Sequence, residues 1–409
     1  MRAPEGWSAL RDSAIDRVII MVLDSLGVGA APDAASYGDE GTNTLAHVAS
    51  AVGGLKLPTL AELGLGNIVQ VEGVAPLESA SRGSWGRMEE RSPGKDTTTG
   101  HWELCGLVLD KPFPTYPHGF PRKIIDAFEA VSGRKIIGNR AASGTQIVDE
   151  LGAKHVRTGD LIVYTSADSV FQVAAHEEVV PPEELYAICI KARSLLSGEH
   201  AVGRVIARPF TGSQGSYKRT PRRRDFSLPP PRPTLLDLVV GAGKGVHAIG
   251  KVEDIFAGRG ITLSEHTSGN DETVAALEKS ISSRHSPVNL IMATCVDLDM
   301  LFGHRNDAHG YARALERLDR QIAGLIPRFV DSDCLIITAD HGCDPTTPGT
   351  DHSREHVPVL VYGSRLTGGN DLGTRKSFAD VAATVAQLLA VSPPEAGTSF
   401  AQVLLGNNR

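Results

Sequence analysis

The sequence predicts an α/β protein: a mainly parallel sheet flanked by helices, interrupted by an inserted α+β segment. Three observations carry this. Apolar runs rich in β-branched residues recur at Arg17–Leu23 (RVIIMVL), 288–296 (VNLIMATCV) and 333–340, as in strands covered on both faces. Stretches with apolar residues at helical spacing alternate with these runs. From about Lys111 to Phe226 the texture changes to a segment with strands and a helix of its own. At 409 residues the chain exceeds one ordinary core. The expected division is a core from 1–110 and 229–409, with residues 111–228 inserted.

Each element follows from local pattern. The 17–23 strand ends in Asp24 and a turn with Gly27 and Gly29, where an aspartate serves equally as a ligand or as a cap or turn former. A helix is expected over 42–52 and a strand over 83–88. Between that strand and the apolar 104–109 run lies SPGKDTTTGHWE (92–103), with three hydroxyls, Thr97, Thr98 and Thr99, after Asp96. A hydroxyl at a helix start can act as a nucleophile near a metal, or Asp96 and its threonines can simply cap the helix. In the insert, strands are expected at 135–138, 161–165 and 204–210, and a helix at 182–196. The basic, proline-rich run 215–233 reads as an irregular linker. Arg204, Arg208 and Arg219 are candidates for holding phosphate.

After the linker a helix (234–240), a strand (245–250) and a helix (272–281) follow. GAGKG at 241–245 follows a helix and lacks the spacing of a phosphate loop. The 288–296 strand ends in Asp297 and Asp299. Residues two apart in an extended segment face the same way, so either carboxylate could reach a site at the strand end, with His304 close behind. A helix over 307–330 carries Leu315, Leu318, Ile322, Leu325 and Phe329 on one face. The 333–340 strand ends in Asp340 and His341, with His352 across a loop containing proline and glycine. A strand (357–363) and a helix (377–390) close the chain.

Composition narrows the function. Apolar residues are 41% and charged residues 22%, with a formal net charge of -7, which argues against a nucleic-acid surface. The five cysteines are odd in number and form no C-x-x-C pair, which points to a reducing compartment. No apolar segment approaches the roughly 18 to 20 residues of a membrane span, and the N-terminus lacks the apolar centre of a secretory signal. A cytoplasmic enzyme without an obligatory protein partner is expected.

Three apolar strands thus end in carboxylates, with His304, His341 and His352 nearby. Such a mixed set suits borderline divalent ions such as Mn²⁺ or Zn²⁺, and so many candidate ligands fit two ions better than one. Cys343 is read as a small buried residue rather than a ligand. At this point the residues match a family. Asp24 in VLDSLGVG, Thr97 in GKDTTTGHWE, Asp299 and His304 in DLDMLFGHR, Asp340 and His341 in TADHGCDP, and His352 in GTDHSREHVP together resemble the phosphopentomutase family of the alkaline phosphatase superfamily. AASGT at 141–145, TSADS at 165–169, GRVIARPF from Gly203 and TSF from Thr398 correspond as well, so the resemblance spans nearly the whole chain.

The resemblance implies an alkaline-phosphatase-like core with an inserted cap and two Mn²⁺ ions. One would be bound by Asp24, Asp340 and His341, the other by Asp299, His304 and His352. It places the phosphorylated nucleophile on Thr97 and prefers Asp299 to Asp297. The implied reaction is an intramolecular phosphoryl transfer, interconverting ribose or deoxyribose 1-phosphate and 5-phosphate, with a sugar bisphosphate as the activator that primes Thr97. Asp168, Arg204 and Arg219 are the candidates in the cap for the sugar and its distal phosphate. A phosphohydrolase, a phosphoglycerate mutase and a non-catalytic metal-binding protein are the rival readings.

Overall fold

The computed structural model describes residues 15–77, 81–166, 168–283 and 288–406. Residues 1–14, most of the N-terminus read as lacking a secretory signal, and position 167 of the TSADS motif lie outside them. The chain forms two compact units, Met1–Lys111 with Pro230–Arg409, and Pro112–Pro229.

The strands in chain order are β1 (Arg17–Leu23), β2 (Ser84–Met88), β3 (Ile136–Ala141), β4 (Leu161–Thr165), β5 (Val170–His176), β6 (Arg204–Thr211), β7 (Lys218–Arg219), β8 (Arg224–Ser227), β9 (Gly245–Ile249), β10 (Leu263–Glu265), β11 (Val288–Cys295), β12 (Asp333–Thr338), β13 (Val357–Tyr362) and β14 (Asp371–Arg375). The first unit holds an eight-stranded sheet in the order β10-β9-β11-β1-β12-β13-β2-β14. Its first five strands are mutually parallel, and β13 runs antiparallel to both β12 and β2. The class is therefore α/β, as the apolar runs predict. Residues Val18 to Leu23 of β1 are fully buried because helices cover both faces of a parallel sheet.

The register decides where function can sit. β1 lies between β11 and β12, with Leu23 opposite Cys295 and Val22 opposite Thr338. Three parallel strands therefore end side by side on one edge, the edge where α/β sheets hold ligands.

The long amphipathic helix buries Leu315, Leu318, Ile322 and Leu325, but it spans Ala308–Leu325 and gives way to a 3-10 turn, Ile326–Arg328. It falls short of residue 330 because Pro327 has no N–H to continue the ladder.

In the second unit the sheet runs β3-β4-β5-β6-β7, with β8 also on β6. One face buries Phe128, Phe171, Leu185 and Val205, and the other buries Ile147, Val148, Tyr164 and Phe210. The expectation of an irregular 215–233 run fails here. β7 and β8 lie inside it, each antiparallel to β6. Its prolines, Pro221 and Pro229 onward, flank these short edge strands rather than interrupt them.

One buried cation organises the loop that leads to Thr97. The Arg354 side chain is 2% exposed; its guanidinium pairs with Glu90 (2.6 Å) and Asp33 (3.0 Å) and donates to the carbonyls of Glu90, Ser92 and Gly94. Arg354→Met would leave Glu90, whose pKa burial already pushes well up, without its cation. Removing one partner of a buried pair costs about 3–5 kcal/mol, and urea denaturation of this variant is expected to show a loss of that size. A loss under about 1 kcal/mol, the scale of an exposed pair, would contradict it.

Candidate metal centre and nucleophile

Asp24 directly follows β1 and Asp340 lies two residues beyond β12. Asp299 lies four residues past β11, and the chain between is not extended: Leu298–Phe302 forms a single π-helical turn. The argument that Asp297 and Asp299 face the same way therefore does not hold. Asp297 turns to the neighbouring helix, accepting from Asn270 N at 3.0 Å, while Asp299 enters the site.

The structure gathers the predicted residues of the first unit. Asp299, His304 and His352 offer ligand atoms within 4.8 Å of one another, and so do Asp24, Asp299 and His341, which leaves Asp299 common to both groups. Asp340 Oδ2 lies 3.3 Å from His341 Nε2, and Asp24 Oδ1 lies 3.4 Å from the same nitrogen. The His341 and His352 rings stack at 3.8 Å between centroids. Backbone carbonyls orient two of the rings. His304 Nδ1 faces Thr350 O at 2.7 Å and His341 Nδ1 faces Gly342 O at 3.2 Å, which leaves each Nε2 toward the carboxylates.

Thr97 opens the Thr97–Leu104 helix. Asp96 is its N-cap, accepting from Thr98 N, Thr99 N and, at 2.5 Å, Thr99 Oγ1. The cap thus occupies Thr99, whereas Thr97 Oγ1 lies 2.9 Å from His341 Nε2. The capping reading of this stretch therefore holds, and the hydroxyl of Thr97 is left outside the cap. Gly100 makes the approach possible, since a Cβ there would stand 2.1 Å from Asp340 O.

Burial first, then the Asp340 charge, push the Asp24 carboxyl well above its ordinary range. Burial acts upward on Asp340 as well, but the imidazoles of His341 and His101 outweigh it and keep that carboxylate ionised. Desolvation, working against the Asp340 charge, pushes His341 down to about 4. His304 is pushed up to about 11, chiefly by its hydrogen bond to Asp299.

The donor set fits divalent cations. Asp24 Oδ1, Asp299 Oδ1 and Asp340 Oδ2 are buried oxygens without a hydrogen-bond partner, and a buried carboxylate in that condition is costly unless a cation answers it.

Two residues here escaped the sequence reading. Lys251, just past the carboxyl end of β9, brings Nζ within 3.5 Å of Asp24 Oδ2. The strand-end rule that found Asp24 applies to it equally. His101, one helical turn after Thr97, lies 3.2 Å from Asp340 Oδ2, and a lone buried histidine carries no such signal. In the second unit Arg204 faces Asp168 (3.9 Å) and Asp225 (3.6 Å). Arg219 lies apart from this group on β7, opposite Phe210, with its guanidinium beside Gly144 and the Tyr164 hydroxyl.

Residues 16–393 match the family model described as Metalloenzyme superfamily, which sets the class as metal-dependent enzymes. The chain is 57% identical over 390 residues to a phosphopentomutase of Caldanaerobacter subterraneus subsp. tengcongensis, covering 95% of this chain and 98% of that one. A phosphopentomutase of Carboxydothermus hydrogenoformans is 55% identical over 378 residues, covering 92% and 96%. Among solved structures the chain is similar to a phosphoglycerate mutase of Leishmania mexicana, with a TM-score of 0.48 and 15% identity over 96% of this chain and 98% of that one. The chain belongs to the phosphopentomutase family, and by that membership it is an isomerase.

A raised imidazole stabilises the metal-free protein fully below its unfolded value of about 6.5, and that stability is lost as pH rises through about 11. At pH 7 His304 therefore carries a proton that an ion must displace. Calorimetric titration of chelator-treated protein with Mn²⁺, in buffers of different ionisation enthalpy, is expected to show proton release on binding and affinity that rises with pH. Heats independent of the buffer would contradict the assignment.

Proposed function

We propose that the protein interconverts ribose or 2-deoxyribose 1-phosphate and the corresponding 5-phosphate through a phosphothreonine at Thr97. Two divalent ions, with Mn²⁺ the first candidate and Zn²⁺ an alternative, would be held by Asp24, Asp340 and His341 and by Asp299, His304 and His352. The observation that carries the reading is the placement of Thr97. Its hydroxyl opens a helix and lies 2.9 Å from His341 Nε2, beside buried carboxylate oxygens that lack partners. Ions bound there would lower the pKa of the hydroxyl and neutralise charge on the transferring phosphoryl group.

The chain's own groups complete the chemistry. The helix N-terminus favours the anionic phosphothreonine, and Lys251 adds a cation beside Asp24. A free threonine cannot begin a mutase cycle, so a sugar bisphosphate is the proposed activator that primes it. Phosphothreonine would donate to the bound monophosphate, and the phosphate at the other sugar position would then return to Thr97.

The contacts to the sugar and its distal phosphate are proposed to come from the second unit. Asp168, Arg204 and Arg219 are its proposed residues. Arg208 and Arg219 both act on the buried Tyr164 hydroxyl, so two cations gather on this part of the sheet, which supports an anion-binding role there. With five cysteines, all free, and no helix long and apolar enough to cross a membrane among the described residues, a cytoplasmic location is proposed.

Ribose 1-phosphate incubated with Mn²⁺-loaded protein and a catalytic amount of sugar bisphosphate is expected to give ribose 5-phosphate with little free phosphate. Dominant phosphate release would make the protein a hydrolase instead. Thr97→Ala is expected to lower turnover by roughly 10³-fold or more while Mn²⁺ stoichiometry is unchanged. Turnover retained in that variant would move the nucleophile elsewhere.

A further inference from the structure

We propose that His101 is a positioning residue that locks the Thr97 nucleophile against Asp340, through an N–H on Nδ1 and an anchor on Nε2. The inference rests on the reading of Thr97 as nucleophile.

His101 is fully buried and stands four residues after Thr97, one helical turn away on the same face. Nδ1 lies 2.9 Å from the Thr97 carbonyl oxygen and 3.2 Å from Asp340 Oδ2. A carbonyl only accepts, so Nδ1 carries the hydrogen. Aimed at Thr97 O, that hydrogen leaves Asp340 Oδ2 without a full hydrogen bond, so the oxygen keeps lone pairs for an ion. On the other side of the ring Nε2 lies 3.1 Å from Thr294 Oγ1, and in the tautomer with its hydrogen on Nδ1 it accepts there from the threonine hydroxyl. Thr294 is fully buried on β11, one residue before that strand ends.

One ring therefore ties three pieces together: the helix that carries Thr97, the end of β11 that leads to Asp299, and the turn after β12 that supplies Asp340. Gly100 brings the same helix against the Asp340 backbone, and His101 sets how the helix turns on that contact. The ring touches the nucleophile's peptide carbonyl and not its hydroxyl, so it acts through Thr97 and Asp340. A displacement of about 1 Å in such a group can cost about 100-fold in rate.

Two amide variants separate this role from mere volume. His101→Asn keeps a donor near the Nδ1 position and loses the Nε2 acceptor. His101→Gln does the reverse. The expected result is that the Gln variant loses about 100-fold in kcat with KM for ribose 1-phosphate little changed, and binds Mn²⁺ roughly 10-fold more weakly by calorimetry. The Asn variant is expected to keep most of both. Thr294→Val, which removes the outer anchor, is expected to fall between them. Equal losses in the Asn and Gln variants, or unchanged kcat and Mn²⁺ affinity in the Gln variant, would overturn the proposal. Thr97→Ala assayed alongside separates the two readings. If it retains turnover, the nucleophile assignment fails; if it is inactive while His101→Gln is normal, only the role of His101 fails.

Discussion

The structure depends on the convergence of three buried carboxylates. β11, β1 and β12 are adjacent and parallel, so the chain emerges from all three on one edge and Asp299, Asp24 and Asp340 crowd together. Like charges in a buried site repel, and the protein answers within the same space. The His341 and His352 rings stack beside them, Lys251 approaches Asp24, and burial pushes the pKa of Asp24 well up. Cations at this edge, as proposed above, would offset that cost, and the match to the Metalloenzyme superfamily supports the proposal.

Buried carboxylates elsewhere in the same unit show the contrast. Glu103, at the far end of the Thr97 helix, accepts from Arg91 N, Ser92 N, Ser92 Oγ, Ser377 Oγ and Phe378 N. Glu355 accepts from Gly29 N, both the amide and the hydroxyl of Thr44, and Ser353 Oγ. These two are saturated with donors and staple the loops around the site. Asp24, Asp299 and Asp340 each keep a buried oxygen without a hydrogen-bond partner. What separates these structural carboxylates from the three proposed as ligands is unspent hydrogen-bonding capacity.

Much of this was legible from the chain because a strand buried on both faces leaves a plain apolar signature, and polar residues at its carboxyl end stand out against it. That logic located Asp24, Asp340 and His341, and the resemblance preferred Asp299. It could not show that β1 lies between β11 and β12, because strand order is a long-range choice with no local mark. The extended-chain argument for Asp297 and Asp299 failed because a π-helical turn changes which way side chains point. β7 and β8 were hidden by the prolines around them, and β14 by its short, exposed sequence. His101 was invisible for a different reason: its role comes from contacts with β11 and with Asp340, residues more than 190 positions away.

The central claim is that this strand edge holds two ions on either side of Asp299, with Thr97 against one of them. Anomalous diffraction at the manganese edge, from crystals grown with Mn²⁺, tests it directly. The account predicts two peaks in the chain, one among Asp24, Asp340 and His341 and one among Asp299, His304 and His352. A single peak, or manganese bound away from these residues, would contradict it.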